Sequence, residues 1–182
     1  MTKKCYCFLT IFNNEKGFSV EKRKMLGLAL FFMVQHVFAN DVITTKNVGL
    51  EMANDIASAS IEACRKQGYQ VSAVVVDRNG LLRTAMRDDL APRFTLQIAQ
   101  EKANMVVMSG LKSGQFRKLR ADIRPELNHI QGLIVMEGGV PIKAAGIKIG
   151  AVGVSGAPGG DKDEVCALKG LSSVQERLDF AE

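Results

Sequence analysis

Hydrophobic positions alternate with polar ones in two distinct rhythms along this chain, and a third stretch near the start is almost wholly apolar. From Thr45 to Gly68 the residues Val48, Met52, Ile56, Ala59 and Ala63 recur at steps of three and four. That period predicts one amphipathic helix, with Thr44 or Thr45 as its N-cap and Gly68 as its stop. Val71–Val76 follows as a nearly continuous apolar, β-branched run, and Leu81–Met86 is a second such run. Asp77-Arg78-Asn79-Gly80 stands between them, and Asn-Gly is a strong hairpin signal because both residues tolerate positive φ.

Pro92 then opens a second helix in which Leu96, Ala99, Ala103 and Val106 share a face, closed by Gly110. A short third helix runs from a Ser113 N-cap to about Arg120. Past a polar stretch ending at Gly132, three strands are predicted: Leu133–Met136, Val140–Lys143 after Gly138-Gly139, and Ile147–Val154 after Gly146. A helix from Asp161 to Lys169, stopped by Gly170, and a last amphipathic turn near Val174, Leu178 and Phe180 complete the order α-β-β-α-α-β-β-β-α. Five mostly antiparallel strands with helices over the faces give an α+β domain of two or three layers.

The apolar stretch changes the picture of the first 39 residues. Glu21-Lys22-Arg23-Lys24 is a basic region, Met25–Val34 an apolar one, and Val37-Phe38-Ala39 places small residues before Asn40. Together they read as a secretory signal peptide, and Gln35 and His36 interrupt the run before it reaches membrane-spanning length. The expectation is a leader over 1–39, with 1–19 upstream of the true translation start, and one domain over 40–182, exported to a periplasm or secreted. Six of the 24 basic and two of the 19 acidic residues precede Asn40, which leaves 18 against 17 and lowers the formal charge from +5 to +1. The whole chain has no Trp and 6% aromatics, and after Asn40 only Arg117-Lys118-Leu119-Arg120 stands out as a basic run, so the mature chain lacks the footprint of a nucleic-acid binder.

Chemistry-bearing residues are few after cleavage. Cys64 and Cys166 are an even pair, read either as one disulfide or as two small buried hydrophobes. The Gly150–Gly160 stretch lacks the spacing of a phosphate loop, and the acidic start of the following helix, Asp161, Asp163 and Glu164, would repel a phosphate. Ser155 lacks the Gly-x-Ser-x-Gly frame of a hydrolase nucleophile. His129 remains the one imidazole, a loop residue or an axial ligand to haem iron; Met105 and Met108 are core filling or thioether ligands. Arg83, Arg87 and Arg93 form a salt-linked surface with Asp88 and Asp89 or a cationic rim for carboxylates.

Three stretches carry a resemblance: Val74-Val-Val-Asp-Arg-Asn-Gly80, Glu101-Lys102-Ala103, and Glu137-Gly-Gly-Val-Pro-Ile142 followed by Ile149–Cys166. They resemble the GlcG/HbpS-like haem-binding family, whose domain also ends some corrinoid adenosyltransferases. The resemblance spans nearly all of 45–171 and implies a profilin-like fold with a five-stranded antiparallel sheet, assembly into homo-oligomers, and binding and slow degradation of haem. It also implies a bond between Cys64 and Cys166, which match the cysteines of exported relatives. If haem binds, His129, the one imidazole left after cleavage, is the expected iron contact and Arg87 and Arg93 the cationic rim, while the resemblance places Met105 nearest the ligand-facing helix and Ser113 near the haem. Arg93 stands where exported relatives commonly have His, Asn104-Met105 where they have Tyr-Thr, and Ser113 where many have Thr. The competing reading is a cofactor-free accessory or structural oligomer.

Overall fold

The computed structural model describes residues 42–181, so the expected leader over 1–39 and the cleavage site before Asn40 lie outside the described residues. Within them the elements are α1 Leu50–Arg65, β1 Ser72–Asp77, β2 Leu82–Arg87, α2 Phe94–Ser109, α3 Ser113–Leu119, α4 Arg124–Leu127, β3 Gly139–Ala144, β4 Ile147–Ser155, α5 Gly160–Ser172 and α6 Gln175–Asp179. The strands form one antiparallel sheet in the order β2-β1-β4-β3.

Helices cover both faces, which is why β1 reads as a continuous apolar run. Every residue of β1 is buried. Its Ala73 and Val75 join Val152 and Val154 of β4 under α1 and α5, while Val74 and Val76 join Ala151 under Ala99, Ala103 and Val106 of α2. Two glycines set how closely the layers meet. A Cβ at Gly153 would lie 1.9 Å from the Ala99 carbonyl oxygen, so α2 rests directly on β4 there, and one at Gly170 would lie 2.0 Å from Ser60 Oγ of α1. The α1–α5 contact is also covalent: Cys64 and Cys166, both fully buried, are joined as a disulfide with Cα atoms 5.4 Å apart.

The sheet has four strands and not five. Leu133–Met136 pairs with no strand: Val135 donates its N–H to Asn128 Oδ1 at 3.0 Å and buries its side chain beside Met105 and Phe116. Local side-chain bonding and a satellite core hold this segment off the sheet. Helix α1 starts at Leu50 behind a Gly49 N-cap and not at Thr45, because buried Val48 donates its N–H to Ile149 O at the end of β4. The Asn79-Gly80 turn does join β1 to β2, but Asp77 Oδ1 accepts from Asn79 N at 2.8 Å and Leu81 N at 3.0 Å, which delays β2 to Leu82.

Three helix ends also shift. Helix α2 begins at Phe94, two residues after Pro92, and closes on Gly110 at φ 72° as its sequence predicts. Lys112 caps α3, since the Ser113 hydroxyl is turned inward to accept from Gly139 N at 2.8 Å. Gly170 lies inside α5, its missing side chain making room for α1, and the helix runs on to Ser172.

Candidate functional site

Helix α2 presents two working faces. Its 3.6-residue period turns Ala99, Ala103 and Val106 to the sheet and sends Gln97, Glu101 and Asn104 to another side, at steps of four and three. That side forms one wall of a cleft of about 480 Å³, whose opposite wall is the segment 128–136. Gln97, Glu101, Arg124, His129, Ile130 and Met136 define its chemistry: a carboxylate that accepts from Gln97 Nε2 at 2.9 Å, a guanidinium, an imidazole and an apolar flank. A smaller recess of about 220 Å³ shares Gln97, Glu101, Gln131 and Gly132 with the cleft and adds Gln100 and Asn104.

The segment 128–136 is shaped locally. Pro125 in the first turn of α4 fixes the start of that short helix, and His129 N and Ile130 N continue it by donating to Glu126 O and Leu127 O, both at 3.1 Å. His129 is thereby delivered to the surface of the cleft. Val135 anchors the far end through Asn128 and its buried side chain. From α2, Asn104 Nδ2 donates to Gly132 O at 3.0 Å. Asn104 Oδ1 is the one buried side-chain oxygen or nitrogen without a partner among the described residues. Such an acceptor costs on the order of 1–3 kcal/mol.

Of the residues singled out from sequence, this cleft holds His129 alone. Met105 is fully buried between Phe116 and Val135, behind the wall. Ser113 is also fully buried, on Gly139 N. Arg87, at the end of β2, donates through Nη1 to Ala91 O at 2.5 Å, and exposed Arg93 stacks its guanidinium 4.1 Å above the Phe94 ring, one helical turn before Gln97. Arg124, Gln97 and the flank of Ile130 and Met136 were not singled out. The Arg-Pro that opens α4, followed within five residues by His-Ile, was the available signal.

Sequence reading also missed a buried ion pair that fixes α2 in place. Lys102 Nζ donates to Asp163 Oδ2 at 2.7 Å and to Val154 O at 2.9 Å, with the two side chains 1% and 4% exposed. Asp163 Oδ1 accepts from Ala157 N at 3.0 Å. One ammonium thus ties α2 to the end of β4 and the first turn of α5. Burial pushes the Asp163 carboxyl above its ordinary range and the Lys102 ammonium below its own, while each partner's charge holds the other back. Among the described residues no group of three or more His, Cys, Asp or Glu side chains is placed to hold a metal ion, and no helix is long and apolar enough to cross a membrane.

The architecture matches known proteins. The chain is 35% identical to Protein GlcG of Escherichia coli K12 over 106 residues, 58% of this chain and 78% of GlcG. It superposes on a double mutant of Streptomyces reticuli HbpS with a TM-score of 0.70 at 34% identity, covering 74% of this chain and 92% of that one. A PduOC:heme complex shares the fold at 21% identity and a TM-score of 0.61, over 70% of this chain and 94% of that one. Residues 48–172 match the family model described as haem degrading protein HbpS-like, and the chain belongs to that family.

Proposed function

We propose that this is an exported haem-binding protein whose ligand seats in the cleft between α2 and residues 128–136. The donor set of that cleft carries the reading. An iron porphyrin offers a metal that takes an imidazole nitrogen, an apolar ring and carboxylates that pair with guanidinium. His129, the flank of Ile130, Leu133, Ile134 and Met136, and Arg124 line one cleft and match those three features. The family description and the likeness to HbpS support it.

Bound haem would bring a redox-active iron; the chain's part is to hold and orient it. In this reading His129 would meet the iron and Arg124 a carboxylate, while Arg93, stacked on Phe94 at the head of α2, lies outside the cleft lining. Degradation of the haem, named in the family description, is the second step of the proposal. Export with cleavage before Asn40 is proposed from the leader and agrees with the Cys64–Cys166 bond. Homo-oligomer assembly is proposed from the resemblance and is supported by exposed Leu81, Leu82, Leu90 and Phe94 in and around β2.

Titration of hemin into the purified domain tests the reading. A saturable Soret band is expected, with its position shifted by His129→Ala, and a weaker affinity at unchanged position in Arg124→Ala. No band in the wild-type domain would sink haem binding and leave the cofactor-free oligomer; a band that persists under peroxide or reductant would remove degradation alone.

A further inference from the structure

We propose that Asn104 is the latch of this cleft: its Nδ2–H···O=C bond to Gly132 holds the wall of residues 129–134 against α2, and release of that bond admits the ligand. The proposal rests on the reading of the cleft as the ligand site, although the latch itself is a property of the free protein.

The main-chain hydrogen bonds of the wall are otherwise internal to it and to α4. His129 N, Ile130 N and Leu133 N donate to Glu126 O, Leu127 O and Ile130 O, all within four residues. At its far end Val135 is held by Asn128 and by burial beside Met105 and Phe116. Between those anchors the bond from Asn104 is the hydrogen bond that crosses from α2, and it lands on Gly132, whose φ of 84° marks a sharp turn in the chain.

The latch is closed on unequal terms. The carboxamide makes one donor bond at 3.0 Å while its own oxygen is buried without a partner. Swinging the side chain outward hydrates both Asn104 Oδ1 and Gly132 O. One hydrogen bond therefore stands against one desolvated acceptor, so opening at this point is less costly than release of a fully satisfied amide would be. A wall so held is moved by a ligand with a smaller preference for the open form than a fully satisfied latch would require. The bond also sits at the junction that matters, because Gln131 and Gly132 line both the cleft and the smaller recess. Its release joins the two spaces.

The test is Asn104→Leu, nearly isosteric and lacking both polar atoms, with Asn104→Ser as the second variant should the first fail to fold. Hydrogen–deuterium exchange without hemin is expected to quicken about twofold to fivefold across 129–134, because Gly132 O loses its donor while the unpartnered Asn104 Oδ1 is removed with it. The β3–β4 turn serves as the unchanged control. Stopped-flow mixing should then show faster hemin association in the variant. Unchanged exchange over 129–134, or quicker exchange with an unchanged association rate, overturns the latch and leaves haem binding standing. Quicker exchange in a protein that binds no hemin in either form removes the haem reading and keeps the wall's fastening to Asn104.

Discussion

Lys102→Met removes one half of a buried ion pair and isolates the other half, so its cost follows from burial and not from surface electrostatics. Asp163 is 4% exposed at its side chain and keeps only the Ala157 N–H once the ammonium is gone, while Val154 O loses a donor as well. Breaking one partner out of such a pair costs about 3–5 kcal/mol. In a domain of this size that lowers Tm by roughly 10–15 °C. The acidic side of the prediction is less intuitive. Burial already holds the Asp163 carboxyl above its ordinary value, and the Lys102 charge is the largest influence lowering it, so the variant's carboxyl rises further. A carboxyl whose pKa is higher in the folded than in the unfolded chain makes the folded state bind more protons between those two values. Stability then rises as pH falls through that window.

Urea unfolding of Lys102→Met and wild type, followed by far-UV circular dichroism at pH 7 and pH 5, measures both effects. The gap between the two proteins should be large at pH 7 and shrink at pH 5, as the isolated carboxyl takes up a proton. The double variant Lys102→Met with Asp163→Leu should recover most of the loss, since the pair's removal leaves no unpaired charge. A gap below about 1 kcal/mol at pH 7, in the range of an exposed pair, or one that widens in acid would refute the reasoning.

Reduction of the Cys64–Cys166 bond, which closes a separation of 102 residues, should lower unfolding stability by about 4–5 kcal/mol, read by urea titration with and without dithiothreitol. Gly153→Ala should cost about 3 kcal/mol, because its Cβ would meet the Ala99 carbonyl and must push α2 off the sheet; thermal unfolding within 2 °C of wild type would contradict the close approach. Protein recovered from its source should begin at Asn40, and N-terminal sequencing that reads through residues 1–19 would refute the leader.

What could be read from the residues follows from how far apart in sequence the deciding partners lie. The hairpin at Asn79-Gly80 and the stop at Gly110 are set by one or two neighbouring residues, and both appear where the sequence places them. Leu133–Met136 has the composition of a strand, but Asn128 offers Val135 N a side-chain oxygen seven residues away, and no alternation of apolar positions reports that. Gly170 looks like a helix stop until Ser60, 110 positions earlier, is seen to occupy the space its side chain would need. The same distance separates the legible half of the site from the rest. His129 is conspicuous as the last imidazole, whereas nothing near Lys102 in the sequence reports its partner Asp163, 61 residues away, and only the fold buries the two together. Two neighbours mark the division: Glu101 faces the cleft and Lys102 the core, so a substitution at the first should alter what the cleft binds and one at the second whether α2 stays in place to form it.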